Sequence, residues 1–270
     1  METHNEVHPP RAKKSLGQNF LQDRNIARKI VEQLQIAPAD RVLEIGPGPG
    51  MLTGFIEEAN PACLCLVEKD HHWAAERQRA FQAGATGKTR QVILADALTM
   101  PWPEFRAPWK IIGNLPYNVA SPLIWDILSL APGLVRAVFM VQREVGLRLA
   151  APPGCGAYGA LSAWVQSFAL PRLEFSVPPQ VFRPAPKVHS AVVSFTPLPN
   201  GERPADPGAL SSLLKLCFQK RRKQLGGILR GHPGWDPERA EKFGVKQSAR
   251  PEELTPRQFQ SLASLLKTLK

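Results

Sequence analysis

Short apolar runs of strand length recur along the first two thirds of the chain, and amphipathic stretches of helical length separate them. Buried strands are predicted at 41–46, 63–67, 91–95, 109–113 and 137–141, with two later strands at 172–177 and 190–196. Helices are predicted at 25–34, 51–59, 73–83, 122–130 and 144–150. Because near-continuous apolar strands suit a parallel sheet that is covered on both faces, this alternation predicts a doubly wound α/β sheet.

The pattern changes at the stretch Pro-Leu-Pro-Asn-Gly, residues 197–201, and no strand pattern follows it. Helices are predicted at 210–225 and 256–269. The 270 residues are therefore predicted to form a flexible N-terminal arm (1–12), an α/β domain (13–200) and a small all-helical domain (201–270).

The charge of the chain indicates its class of partner. There are 34 Lys and Arg residues against 23 Asp and Glu residues, a formal net charge of +11. Basic residues cluster at 11–14, at 24–29 and, most densely, in the run Lys220, Arg221, Arg222 and Lys223. A nucleic acid is a natural partner, since each phosphate contact releases condensed counterions. The alternative is that these residues only form solvated helix faces.

The four cysteines are scattered and do not have the spacing of a zinc site. We therefore predict buried thiols in a reducing compartment and no metal. No apolar run is long enough to span a membrane, and the N-terminal stretch lacks the apolar core of a signal peptide. A cytoplasmic protein without a membrane partner is expected.

A glycine-rich turn follows the first predicted strand and precedes a helix. Gly46, Gly48 and Gly50 allow the backbone to approach a ligand closely, because no Cβ is in the way. The next two strands end at Glu68 and Asp96. In a doubly wound sheet, ligands lie outside the carboxyl ends of the strands. Glu68 is thus placed to accept hydrogen bonds from ribose hydroxyls and Asp96 from an adenine amine, which predicts a nucleoside site.

The same turn argues against a nicotinamide-dependent oxidoreductase. Its spacing, Gly-Pro-Gly-Pro-Gly, is not the Gly-x-Gly-x-x-Gly that places a pyrophosphate at a helix N-terminus. The fourth strand also ends in a tetrapeptide that no dehydrogenase needs. A tight turn that binds nothing is the remaining alternative.

That tetrapeptide is Asn114-Leu115-Pro116-Tyr117, which matches the pattern of amino methyltransferases. An exocyclic adenine amine is a poor nucleophile because its lone pair is delocalised into the ring. Acceptors on both N–H groups, the Asn114 side-chain carbonyl and the Leu115 backbone carbonyl, would localise that lone pair. Pro116 has no N–H and fixes the turn, and Tyr117 offers a flat face for the target base.

A base inside a duplex cannot be reached, so the target must be flipped out or single-stranded. Phe182, in a proline-rich loop, is the candidate for a second aromatic that closes over the base. Arg183 and Lys187 in the same loop are candidates for phosphate contacts. The alternative is that Phe182 is an ordinary core residue.

These motifs resemble those of the bacterial small-subunit (16S) ribosomal RNA adenine dimethyltransferases. The resemblance runs in chain order through six stretches, 16–21, 44–48, 114–118, 142–145, 157–159 and 182–188. It implies a Rossmann-like S-adenosylmethionine methyltransferase fold with a final reversed strand and a helical, RNA-recognising C-terminal domain. It also implies a cofactor pocket for S-adenosyl-L-methionine made by Gln18, Asn19, Leu21, Gly46, Gly48, Glu68, Asp96, Ala97 and Asn114.

The resemblance further implies a substrate, two adjacent adenines in a hairpin near the 3′ end of 16S rRNA. Each is methylated twice, on an immature small ribosomal subunit, by an enzyme expected to be a monomer. Gly156 and Ala160 stand where relatives often carry basic residues, which could weaken an RNA contact. Two alternatives stay open: a large-subunit (23S) dimethyltransferase of the antibiotic-resistance type, and a non-catalytic RNA-binding assembly factor.

Overall fold

The structure is a computed structural model that describes residues 17–84 and 87–267. The predicted N-terminal arm, the basic residues at 11–14 and Leu16 lie outside the described residues, as do the last residues of the helix predicted at 256–269.

Strands and helices alternate up to residue 149, a second helix and three strands follow to residue 197, and helices come after them. The described residues contain nine strands: β1 (Phe20–Leu21), β2 (Arg41–Ile45), β3 (Cys63–Glu68), β4 (Thr89–Leu94), β5 (Trp109–Asn114), β6 (Leu134–Gln142), β7 (Ala169–Val177), β8 (Phe182–Arg183) and β9 (Ser190–Pro197). They also contain ten α-helices: α1 (Arg24–Gln33), α2 (Met51–Glu58), α3 (His71–Ala83), α4 (Ala120–Leu130), α5 (Arg143–Leu149), α6 (Ala160–Gln166), α7 (Pro207–Gln219), α8 (Leu225–Leu229), α9 (Pro237–Glu241) and α10 (Pro256–Lys267).

Seven strands form one sheet in the order β4-β3-β2-β5-β6-β9-β7. The pairs among β2 to β6 are parallel, whereas β9 runs antiparallel to both of its neighbours. The predicted doubly wound sheet with a reversed last strand is therefore confirmed. The carboxyl ends of β2, β3, β4 and β5 lie at one edge, which is where a ligand is expected.

Successive residues of the central strands enter two different apolar layers, as the period of two requires. Val42 packs with α1 and α2 on one face, and Leu43 packs with α4 and the later helices on the other. Leu210 of α7 and Phe259 of α10 belong to the same buried cluster as Leu43. The C-terminal helices thus share an apolar core with the sheet, and the boundary at residue 200 stays a prediction.

Several helices differ from the sequence analysis, which predicted no helix at Pro237–Glu241, the position of α9. The helix α6 was not predicted, because its apolar run Ala-Leu-Ser-Ala-Trp-Val has no side-chain cap to signal its start. The helix predicted at 210–225 instead ends at Gln219, and Leu225 begins α8. A tertiary contact accompanies this break: the Arg221 side chain in the intervening turn bonds to Glu252. None of the helices in the described part of the chain combines the length and apolar character needed to cross a membrane.

Candidate active site at the carboxyl edge of the sheet

A cavity opens at the carboxyl ends of β2, β3, β4 and β5, and segment 17–20 covers part of it. It is lined by most of the predicted site residues: Gln18, Asn19, Gly46, Gly48, Glu68, Asp96, Ala97, Asn114, Leu115, Pro116 and Tyr117. The strand pattern explains this convergence, since parallel neighbours bring the residues after each strand to one edge.

The glycine-rich turn forms the floor of this cavity. Gly46 and Gly48 have φ values of 66° and 49°, in the left-handed region that favours glycine. A Cβ on Gly46 would meet no atom within 4 Å, whereas one on Gly48 would lie 3.0 Å from the Phe20 ring. The backbone at Gly46 therefore faces open space that a ligand can enter, and Gly48 leaves room for Phe20.

Glu68, the last residue of β3, presents a buried carboxylate to the cavity. Its two oxygens accept from the backbone N–H of Gly48, at 3.0 Å, and from that of Asp70, at 2.8 Å. Burial raises the pKa of the Glu68 carboxyl, and the backbone hydrogen bonds oppose that shift. The Lys69 backbone also donates to this carboxylate, and since a carboxylate has about four lone-pair positions, Glu68 keeps acceptor capacity for a ligand.

Asp96 follows β4 and caps the short 3₁₀ helix Ala97–Thr99. One oxygen accepts from the Leu98 N–H at 3.0 Å, and the other pairs with the Lys69 ammonium at 2.6 Å. The hydrogen bond from Lys69 lowers the pKa of the Asp96 carboxyl. The carboxylate is thus ionised and oriented at the rim of the cavity.

Asn114 ends β5 and is held by the chain segment that covers the cavity. Its Nδ2 donates to the Asn19 backbone carbonyl at 2.9 Å. A carbonyl oxygen can only accept, so this bond fixes which end of the amide faces Asn19. The Asn114 side-chain oxygen is therefore oriented away from Asn19 as an acceptor.

The turn after Asn114 is attached to the sheet at a second point. The Leu115 N–H donates to the Met140 carbonyl of β6 at 3.1 Å. No donor among the described residues contacts the Leu115 carbonyl, whereas the Pro116 carbonyl accepts from Val119 and Ala120 at the start of α4. Two acceptors, one side-chain and one backbone, thus come from adjacent residues at the end of β5.

Tyr117 completes this turn with a half-buried ring. Its hydroxyl lies 2.8 Å from the Ser190 Oγ. Burial raises the pKa of the Tyr117 phenol, so the ring is neutral at physiological pH. The cavity therefore brings two carboxylates, Glu68 and Asp96, together with an acceptor pair and an aromatic ring.

The model of the ribosomal RNA adenine dimethylase family matches residues 10–268. This chain belongs to that family. A relative from Oleidesulfovibrio alaskensis, named ribosomal RNA small subunit methyltransferase A, is 59% identical over 266 residues, which is 96% of this chain and 92% of the relative. One from Nitratidesulfovibrio vulgaris with the same name is 57% identical over 257 residues, 94% of this chain and 96% of the relative.

Solved structures of adenine dimethylases and related enzymes share the fold. A dimethyladenosine transferase from Plasmodium falciparum has a TM-score of 0.78 at 25% identity, covering 90% of this chain and 95% of that one. The 23S rRNA methyltransferase ErmE has a TM-score of 0.69 at 26% identity, with 93% and 100% covered. The predicted Rossmann-like methyltransferase fold with a helical C-terminal part is confirmed.

Two predicted site residues of this adenine dimethylase do not line the cavity. Leu21 and Phe182 pair with each other across the small β1–β8 sheet, and both side chains are buried in the apolar cluster around Ile30. The structure contradicts the prediction that the Phe182 ring is exposed to close over a base, and it agrees with the alternative that Phe182 is a core residue. Leu21 offers the cavity no side chain either.

Phe20, which the sequence analysis did not select, lies on the cavity side of β1 instead. Its ring lines the cavity and meets the edge of Trp73 at a centroid distance of 5.4 Å. Side chains alternate along a strand, so one of Phe20 and Leu21 must face the cavity and the other the core. The sequence alone did not indicate which of the two side chains would face the cavity.

The predicted RNA-binding residues fall into two groups. Most have exposed side chains: Arg183, Lys187, Lys220, Arg222 and Lys223. Arg221 differs, because its guanidinium pairs with Glu252 at 2.5 Å and donates to the Gly156 carbonyl at 2.8 Å. The structure therefore places Arg221 in a contact within the protein, between the segment after α7 and the loop before α6.

Of the four cysteines, Cys65 and Cys217 are buried as predicted, whereas Cys63 and Cys155 are half-buried. All four thiols are free, and burial raises the pKa of Cys65 and of Cys217 to about 12. Within residues 17–84 and 87–267, no group of three or more His, Cys, Asp or Glu side chains could hold a metal ion.

Proposed function

We propose that this protein uses S-adenosyl-L-methionine to dimethylate N6 of two adjacent adenines in a hairpin near the 3′ end of 16S rRNA. The substrate that we propose is the immature small ribosomal subunit, and the enzyme acts as a monomer in the cytoplasm. Membership of the adenine dimethylase family and 59% identity to a small-subunit methyltransferase support the reaction and the RNA.

One observation carries this proposal: an unused pair of acceptors stands at the cavity. The Asn114 amide is held by the Asn19 carbonyl, which leaves its oxygen to accept. The Leu115 carbonyl has no donor in the described part of the chain. An adenine amine has two N–H groups, and two acceptors can bind both. Binding them draws the nitrogen toward a tetrahedral shape and makes its lone pair available, so catalysis is largely positioning.

The residues around the cavity fit the cofactor. When bound, S-adenosyl-L-methionine supplies an electrophilic methyl group on a sulfonium. We assign Glu68 to the ribose hydroxyls, because its carboxylate lines the cavity and keeps acceptor capacity beyond its backbone hydrogen bonds. Asp96 accepts from the adenine amine, with Ala97 beside it. The open space beside Gly46 allows the cofactor to approach the protein backbone closely. Gln18, Asn19 and Gly48 line the rest of the cavity wall.

The target adenine stacks on Tyr117 in this proposal. The ring lines the same cavity as the acceptor pair, and a base can stack on it because every base has a π-face. The proton of the methylated product is acidic and leaves to water, so the site needs no strong general base. Pro116 keeps the turn rigid, because its φ is fixed.

Exposed basic side chains would bind the RNA backbone. We assign phosphate contacts to Arg183 and Lys187 in the loop before β9 and to three residues after α7, Lys220, Arg222 and Lys223. Arg221 is left out of this set because its guanidinium is bonded to Glu252 and to the Gly156 carbonyl.

The two alternatives have less support. Identity to small-subunit methyltransferases reaches 59%, against 26% for the large-subunit enzyme ErmE. A non-catalytic assembly factor would not need Asn114 held with its acceptor oriented, or Tyr117 fixed at its hydroxyl.

Methyl transfer to purified subunits tests the proposal. The protein and S-adenosyl-L-methionine labelled in the methyl group are incubated with immature small subunits from cells lacking the enzyme, and with protein-free 23S rRNA. We expect two adjacent dimethyladenines near the 3′ end of 16S rRNA by mass mapping. Transfer to 23S rRNA alone would support the large-subunit alternative, and no transfer to either RNA would support the assembly factor.

A further inference from the structure

The Tyr117 hydroxyl is bound by a serine that lies far from it in sequence and outside the motifs considered so far. Ser190 is the first residue of β9 and is fully buried. Its Oγ lies 2.8 Å from the Tyr117 hydroxyl, and either atom can donate. The Ser190 side chain therefore makes its hydrogen bond to Tyr117.

Ser190 belongs to the sheet, whereas Tyr117 does not. Ser190 pairs with Gln142 of β6 on one side and with Val177 of β7 on the other. Tyr117 lies in an irregular turn between β5 and α4. The hydrogen bond therefore connects this turn to the first residue of a strand that is paired on both sides.

The other hydrogen bonds that the described residues make with this turn do not reach the ring, and the Pro116 carbonyl accepts from the backbone of Val119 and Ala120. Asn114 is held by the Asn19 carbonyl, and the Leu115 N–H by Met140. Both of these bonds hold residues that precede Pro116 in the chain. The Tyr117 side chain has two torsions, and its hydroxyl oxygen lies on the axis of the second one. A bond to that oxygen therefore restricts the first torsion, which moves the ring as a whole. Ser190 thus holds the ring in position relative to the acceptor pair.

From these contacts we infer that Ser190 is a positioning residue for methyl transfer, acting through the Tyr117 ring. This inference rests on the proposed function, because the ring matters as the surface on which the target adenine stacks. An adenine stacked on a displaced ring presents its amine poorly to Asn114 and Leu115, and misplacement of about 1 Å can cost a large factor in rate.

Ser190→Ala and Tyr117→Phe remove the same hydrogen bond from opposite sides. We expect each to slow single-turnover methyl transfer about fivefold to tenfold, the effect of one net hydrogen bond. We expect the double variant to be no slower than either single variant and cofactor affinity by calorimetry to be unchanged. The inference would be overturned if the two single-variant effects multiplied in the double variant. It would also be overturned if Ser190→Ala transferred methyl groups as fast as the unaltered protein.

Ser194→Ala is the matched control. Ser194 lies on the same strand, is also buried, and donates to Glu174 at 2.6 Å, away from the cavity. If Ser190 has only a structural role, the two alanine variants will show similar losses of thermal stability and equal transfer rates. That result would also overturn the inference.

A measurement without turnover separates this inference from the proposed function. The chain has two tyrosines, Tyr117 and Tyr158, so ring-labelled tyrosine gives a simple NMR spectrum. In Ser190→Ala we expect the Tyr117 hydroxyl proton to exchange with water about fivefold to tenfold faster. The fully buried Tyr158 serves as the internal reference. An unchanged Tyr117 signal would refute the bond, whereas unaltered protein that methylates no RNA would refute the proposed function alone.

Discussion

Asn114 has two roles that a pair of substitutions can separate. Its Nδ2 tethers the covering segment by donating to Asn19 at 2.9 Å, and its oxygen is the proposed acceptor for the adenine amine. Asn114→Ala removes both groups. Asn114→Asp also loses the donor, but it keeps acceptor oxygens at the same place. A difference between the two variants therefore reports on the acceptor.

The magnitudes follow from the contacts that are lost. An acceptor for a group that gains charge contributes about 1.5–3 kcal/mol, which predicts a loss of about 10- to 150-fold in methyl transfer for Asn114→Ala. The tether is one neutral hydrogen bond, which contributes about 0.5–1.5 kcal/mol, so cofactor affinity should fall about 2- to 10-fold at most. Asn114→Asp should show the same loss of affinity and an intermediate transfer rate.

Single-turnover methyl transfer with saturating cofactor measures the first quantity, and calorimetry with S-adenosyl-L-methionine measures the second. A transfer rate for Asn114→Ala close to that of the unaltered protein would refute the role of the acceptor. Equal rates for the Ala and Asp variants would show that the tether to Asn19 matters instead.

Three further predictions concern RNA binding, packing and pH. Replacing Lys220, Arg222 and Lys223 with alanine should weaken the salt dependence of RNA binding. In filter-binding measurements, the slope of log affinity against log salt concentration should fall by about 2, since each lost phosphate contact contributes about 0.7. Gly113→Ala should destabilise the protein by about 1–3 kcal/mol in chemical unfolding, because the new Cβ would lie 2.7 Å from the Ile45 carbonyl oxygen. Burial raises the pKa of Glu44 from 4.5 to about 7, so the folded state holds a proton that the unfolded state releases. Stability should therefore fall as pH rises from about 4.5 to about 7, and thermal unfolding of Glu44→Gln should show a flatter profile over that range.

Each of these predictions has a control or a contrary outcome. Arg221→Ala should lower the melting temperature while changing the salt slope less than a single exposed lysine does, because the guanidinium is bonded within the protein. Gly201→Ala should be nearly neutral, since its Cβ would meet no atom within 4 Å. A Glu44→Gln profile as steep as that of the unaltered protein would assign the pH dependence to another group.

Local sequence determined the sheet and most of the cavity. Apolar runs specified the inner strands β2, β3, β5 and β6, because a strand that is covered on both faces is mostly apolar. The edge strand β4 has no buried residue, and only its Val-Ile-Leu run indicated it. The Gly-rich turn, Glu68, Asp96 and Asn114 could be placed together because parallel strands bring their carboxyl ends to one edge. Each of these inferences needs only the strand order and the residue that follows each strand.

Tertiary pairing decided the rest. Leu21 and Phe182 are buried because β1 pairs with β8, two segments far apart in the chain. The bond of Tyr117 to Ser190 and that of Arg221 to Glu252 likewise join distant segments. Side chains alternate between faces, so a shift of one residue in register would exchange buried and exposed positions. Composition and motifs therefore predicted which residues approach the cavity, whereas the register of distant segments determined which side chains face it.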